Sequence, residues 1–188
     1  MELPIFNDNL KSSGAWTTRL ATVLEAWQEI PAAGRDGVGQ LTELELARLA
    51  GRLDAVRLRL AGSLVAGWAT EPAARFDQER LLELNRVLGG LPPEVDPLRT
   101  ATPELVAAGH DPVPARLLPR MLELAFDWFT TEGFDELHPV EQGTVVYLRI
   151  LDLAPFTALT ETTALLAAGF YTQRRGLPPL VIPAGEEE

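Results

Sequence analysis

Few residues in this sequence are of types that move protons, ligate metals or attack a substrate. Two histidines, His110 and His138, are present among 188 residues, and there is no cysteine. Thiolate catalysis, disulfides and Cys-ligated zinc are therefore excluded. His138 directly precedes Pro139, a place better suited to capping the next helix than to acid–base work. His110 stands beside Asp111, and no ligand spacing repeats along one helix, so no metal site is expected. Ser12, Ser13 and Ser63 lie in no Gly-x-Ser-x-Gly elbow and have no histidine close in sequence, which leaves a hydrolase triad without support. Gly34, Gly37 and Gly39 are followed by no Lys-Ser/Thr and preceded by no convincing strand, so they read as a linker rather than a phosphate loop.

The charge balance narrows the partners. Sixteen basic residues face 27 acidic ones, a formal net charge of -11. Such a chain has no surplus of Lys and Arg to displace counterions from a phosphate backbone, so nucleic-acid binding is not expected. No apolar run reaches the ~20 residues of a membrane span, and residues 1–10 lack a basic n-region, so the expectation is a cytoplasmic protein with no membrane association. Hydrophobic residues make up 46% and charged residues 23%, an ordinary globular composition that supports a core without a metal or disulfide staple.

The elements that must position any site are mostly helical. Leu46, Leu49, Leu53, Val56, Leu60 and Leu64 recur in steps of three and four, which predicts one amphipathic helix over 42–68 with Thr42 and Glu45 as its capping box. Glu71-Pro72 closes it. A shorter helix is expected over 17–29, another opening at Asp77 and ending at Gly89-Gly90, and further helices over 115–130, 139–153 and 160–175. Pro92, Pro93, Pro97, Pro103 and Pro112 break the stretch up to Pro114, where Leu98 to Thr102 and Leu105 to Ala107 suit short paired strands in a flap or hairpin. An extended tail over 177–183 and three terminal glutamates complete the chain. Trp16, Trp27, Trp68 and Trp128 fall on separate elements and are read as core.

The order of several segments resembles the Fic family. Leu137-His138-Pro139-Val140, then Ala154-Pro155-Phe156 after one helix, then Gly176-Leu177-Pro178-Pro179 after a second, match a family pattern of Leu-His-Pro-Val/Ile, a signature His-Pro-Phe-x-Asp/Glu-Gly-Asn-Gly-Arg-x-x-Arg, and Gly-x-Pro-Pro. Leu84-Asn85-Arg86 looks like the helix before the family's flap, and Asp96-Pro97-Leu98-Arg99 like its entry. The resemblance implies a mostly α, Fic-like helical bundle with a short β-hairpin flap. It implies one domain over 1–188, with N-terminal helices over 1–59, a Fic-like core over 60–183 and an acidic tail over 184–188.

The resemblance also says what chemistry is missing. The family transfers the AMP of ATP, or a related phosphate-containing group, to a hydroxyl of a target protein. Its signature His takes the hydroxyl proton, its acid holds magnesium, its glycines wrap the phosphates and its arginines clamp them. On those positions this chain has Ala154, Ala158, Leu159, Glu161, Thr162 and Leu165, with Thr160 in place of the Asn. Pro155, Phe156 and the following Thr163 remain. An inhibitory Ser/Thr-x-x-x-Glu motif of many members would fall at Ser63, with Gly67 in place of its Glu.

The expectation is a catalytically dead member without a cofactor or metal, acting through an unidentified protein partner or as an oligomer. Leu98, Arg99, Leu105 and Val106 of the flap are the candidate contacts, since a strand edge recognises a segment through main chain alone. The alternative is a transferase that works through a rebuilt pocket around Thr160, Glu161 and Thr162.

Overall fold

The structure is a computed structural model that describes residues 54–101 and 112–180. Six α-helices are present among these residues: α1 (Ala55–Thr70), α2 (Gln78–Gly89), α3 (Leu118–Trp128), the single turn α4 (Glu132–Asp135), α5 (Pro139–Leu153) and α6 (Thr160–Gln173). A 3-10 turn, Ala115–Leu117, leads into α3. The expected helices over 17–29 and at 42–53, the second flap strand and the acidic tail lie outside the described residues.

Most helix ends follow from local chemistry. Asp77 caps α2, its Oδ1 accepting from the Arg80 N–H at 2.9 Å. Gly90 closes α2 at φ 63, where the Gly90 and Leu91 amides donate back to Val87 and Arg86. A side chain at Gly90 would also strike the Arg57 guanidinium, since a Cβ would lie 2.3 Å from its Cζ. His138 caps α5 in a capping box: its Nδ1 accepts from the Val140 N–H, and Glu141 accepts from the His138 N–H. Its expected capping role is thus met, with Pro139 following as a favourable first helical residue.

Two expectations about α1 need correction. The helix does not run unbroken from Thr42, because Asp54 has extended backbone (φ -62, ψ 113) and its side chain accepts from the Val56 N–H. The buried face also differs from the predicted one. Leu58, Ala61, Val65 and Trp68 turn inward, while Val56 and Leu60 are 71% and 54% exposed. Of the periodic stripe Leu64 is partly buried against the core, and the fully buried residues lie on a neighbouring face. The close at Glu71-Pro72 is as expected, with Glu71 extended after Thr70.

The helix expected over 115–130 is shorter and starts with the 3-10 turn, Pro119 falling in its first turn. No hairpin is seen: the described residues form no strand, and Leu98 makes an isolated antiparallel bridge to Phe156. The hairpin's remaining residues, 102–111, lie outside the described ones.

The core is organised around α6. Every residue from Thr163 to Thr172 is buried, the pattern of a helix enclosed on all sides. Helix α5 packs most extensively against it, with α1 and α2 on other sides. Gly143 permits the close α5–α6 approach, because a Cβ there would sit 2.9 Å from the Ala168 carbonyl oxygen and 2.6 Å from Leu180. An aromatic group of Trp68, Phe76, Phe126, Phe129, Phe134 and Phe170 fills the end of the bundle near the C-terminus of α6, with ring centroids 5–6.5 Å apart.

Candidate functional site

The loop from Ala154 to Leu159 joins α5 to α6 and presents the N-terminus of α6 to a cleft of about 520 Å³. Both of its ends are left-handed: Ala154 has φ 41 and Leu159 has φ 64. Neither is glycine, so each holds a conformation that costs a non-glycine residue roughly 1–2 kcal/mol. The loop keeps this shape because its neighbours fix it from three directions.

Arg99 fixes the first end. It is 4% exposed, and its guanidinium donates to carbonyls on both sides of the loop and of the flap. Nε donates to Ala154 at 2.6 Å, Nη1 to Ala101 at 3.0 Å, and Nη2 to Val113 at 2.5 Å and Leu153 at 3.4 Å. Burial lowers the Arg99 pKa from its usual value. Four carbonyl oxygens, rather than a carboxylate, satisfy it. The main chain adds a bond from the Arg99 N–H to the Pro155 carbonyl at 2.9 Å.

Asn85 of α2 fixes the second end. Its buried Nδ2 donates to the Ala158 carbonyl at 3.2 Å and to Thr163 Oγ1 at 3.0 Å. The Thr163 hydroxyl in turn donates to the Leu159 carbonyl at 2.7 Å. Phe156 anchors the middle by entering the core, where it is 3% exposed. The remaining wall of the cleft comes from the start of α1. Arg57 donates from Nη1 to the Gly89 carbonyl at 3.1 Å, and its Nε lies 3.6 Å from Asp54. Asp54, Arg57 and Asp96 are its charged lining residues.

The structure brings the signature positions together on one loop and one helical turn, but their side chains serve the scaffold. Ala154 and Ala158 carry methyl groups, Leu159 packs against the core, and Leu165 is buried. Thr160 donates to the Phe156 carbonyl at 3.4 Å. Thr162 is half-buried and Glu161 exposed at the first turn of α6, where no side chain caps the helix. Among the described residues no group of three His, Cys, Asp or Glu gathers as metal ligands.

Of the flap candidates, Leu98 packs against the core and pairs with Phe156, and Arg99 is turned inward; Leu105 and Val106 lie outside the described residues. Ser63 and Gly67 lie on the exposed face of α1, whereas Asp54 and Arg57 are what α1 contributes to the cleft. Sequence reasoning did not single out Asp54, Arg57 or Asn85 as site residues. An Asp one residue before a helix is a recognisable cap, but nothing local to Asn85 points across to Thr163, 78 positions away.

Comparison with known proteins places this arrangement. No family model matches the chain. Protein adenylyltransferase fic-1 of Caenorhabditis elegans is 28% identical over 104 residues, covering 55% of this chain and 20% of that protein. Protein adenylyltransferase Fic of Drosophila willistoni is 29% identical over 107 residues, covering 55% of this chain and 21% of that protein. The matched part thus spans about a fifth of the length of these curated relatives. A Fic domain-containing signaling protein from Bacteroides thetaiotaomicron superposes with a TM-score of 0.71 at 16% identity, over 88% of this chain and 75% of that one. Likeness in sequence to the adenylyltransferases over 55% of the chain and likeness in fold to the solved domain converge: this chain has the fold of a Fic domain.

Proposed function

We propose that this Fic-domain protein does not transfer nucleotides and acts by binding another protein. The observation that carries the reading is the contrast within the 154–159 loop and the first turns of α6. The backbone curve is held by Arg99 and Asn85, yet the side chains at the signature positions offer no imidazole, no magnesium-ligating pair and no guanidinium. A base contributes typically 10²–10⁴-fold and a transition-state arginine about 10³–10⁵-fold in related chemistry. With both missing, positioning alone leaves little catalysis.

The cleft's charge supports the same reading. Two aspartates and one arginine line it, so its own field opposes a polyphosphate. Arg57, the cation available there, is already engaged by Gly89 and Asp54. Partner recognition needs none of the lost groups, since main-chain pairing along the flap requires only a free strand edge. One edge at Leu98 and Arg99 is taken by the loop, so this reading turns to Leu105 and Val106 as the partner's contacts.

Calorimetric titration with ATP and magnesium tests the first half of this reading. The expected result is no saturable heat and no thermal stabilisation at millimolar nucleotide. Saturable binding that disappears in Arg57→Gln overturns it and favours a transferase whose pocket is rebuilt around Arg57, Thr160 and Glu161. Partner capture with and without residues 102–111 tests the second half, and capture unaffected by that deletion removes the flap from the proposal.

A further inference from the structure

A second, smaller pocket of about 170 Å³ lies at the opposite end of α6. Arg75, Thr130, Asp135, Tyr171 and Arg174 contribute its polar lining, over a floor that includes two phenylalanine rings. Tyr171 is the unusual member. It is 4% exposed and ringed by Phe76, Phe134 and Phe170. Among the described residues its hydroxyl has no hydrogen-bond partner, and it is not one of their fully buried unpartnered atoms, so it stays open on the pocket side. A phenol whose ring is enclosed and whose oxygen stays open offers a fixed donor to whatever enters the pocket.

The charges around that hydroxyl are also unspent. Among the described residues neither Arg75 nor Arg174 forms an ion pair. Arg174 instead lies over the Phe170 ring, its Cζ 5.6 Å from the centroid. Asp135 is the carboxylate in the lining, and Asp77 acts on Tyr171 from nearby. Burial raises the Tyr171 pKa, so the phenol stays a proton donor across the ordinary pH range. Two arginines and this tyrosine line one small space, with a single carboxylate in the lining to limit the surplus positive charge.

We propose that this pocket binds a carboxylate group, the Tyr171 hydroxyl donating to one oxygen and the Arg174 and Arg75 guanidinium groups to the other. Planar guanidinium forks suit a carboxylate. With Asp135 the lining keeps a surplus of about one positive charge, which a monoanionic carboxylate neutralises, whereas a dianion leaves excess negative charge beside Asp135. The volume admits a carboxylate and a few attached carbons, which fits either a small free acid or the C-terminal residue of a peptide. This proposal is independent of how the 154–159 loop is read.

Thermal melting of the whole chain at about pH 8 tests it, with acetate as the free acid, acetyl-alanyl-glycine as the chain end, inorganic phosphate, there mostly the dianion, and chloride at matched ionic strength as the control. The expected result is a saturable rise with at least one carboxylate over chloride and a weaker one with phosphate. The stronger of the two carboxylates identifies the source. Tyr171→Phe and Arg174→Gln are each expected to weaken the apparent affinity at least tenfold. Tyr171→Phe alone removes an unpaired hydroxyl and keeps the ring, so its unliganded melting temperature is expected to be unchanged or higher. That variant keeps the test valid if Arg174→Gln folds poorly. No rise above chloride with either carboxylate, or a rise of equal size and affinity in Tyr171→Phe, overturns the proposal.

Discussion

The two ends of α6 present opposite cases. At its N-terminus the main chain is arranged as for anion chemistry, with a curved loop, left-handed residues at Ala154 and Leu159 and an uncapped first turn, but the side chains are methyls, leucines and threonines. At its C-terminus there is no special loop, yet a tyrosine and two arginines that form no ion pair or side-chain hydrogen bond among the described residues line a common space. The difference teaches that backbone shape and chemical equipment are maintained by separate interactions. Arg99 and Asn85 hold the loop by bonding to carbonyls, and carbonyls are present whatever side chains the loop carries. Substituting the signature therefore need not collapse it.

The strongest way to break this comparison is to remove the clasp. Arg99→Ala leaves the carbonyls of Ala154, Ala101, Val113 and Leu153 without their donor, and a loss of about 3 kcal/mol or more is expected in urea unfolding. A loss confined to a few tenths would mean that the loop holds itself. Gly143→Ala tests the body of the helix between the two ends. The added methyl meets the Ala168 carbonyl, and about 2–3 kcal/mol of destabilisation is expected in the same measurement.

Asn85→Ala is expected to cost about 1–2 kcal/mol and to speed amide exchange at the start of α6, leaving exchange near Tyr171 unchanged. Equal acceleration at both ends would show that they are not independent. Ala154→Gly runs in the other direction. Relief of the left-handed strain outweighs the added freedom of the unfolded chain, so a gain of about 0.5 kcal/mol is expected in unfolding free energy.

The smallest effect is a pH dependence at the start of α5. His138 Nδ1 accepts from the Val140 N–H, so its neutral form is the one that caps, and burial holds its pKa below the usual 6.5. The unfolded chain then binds the proton more readily than the folded one. The His138 contribution to stability is present above pH 6.5 and declines as pH falls through the lowered folded value. Melting temperature against pH for the wild type and His138→Asn checks this. Asn caps without titrating in this range, so its profile is expected to lack that decline.

Much of the fold was legible because several helix ends are written locally. Asp77, Gly90, His138-Pro139 and Glu71-Pro72 each mark a boundary through a cap, a left-handed stop or a proline, and the structure has its boundaries there. The face of α1 was not legible. Leucines at Leu60 and Leu64 gave the periodic signal, but α6 is lined with small residues such as Ala164, Ala167 and Ala168 and accepts Ala61 and Val65 at close range instead. Large residues announce themselves in a sequence; close packing uses small ones.

The candidate site divides in the same way. Residue identities at 154–165 alone establish which chemical groups are absent from the signature, since a methyl cannot take a proton and a leucine cannot clamp a phosphate. They could not show that the loop would keep its curve, because the groups that hold it lie 55 and 73 residues away along the chain. Nor could they place Tyr171 and Arg174 beside Arg75 and Asp135, which meet only where α4 and the turn before α2 close over the end of α6. Local composition determines caps, breaks and the inventory of reactive groups. Which of those groups share a space is decided by packing, because contacts between distant segments form only when the helices bury their faces together.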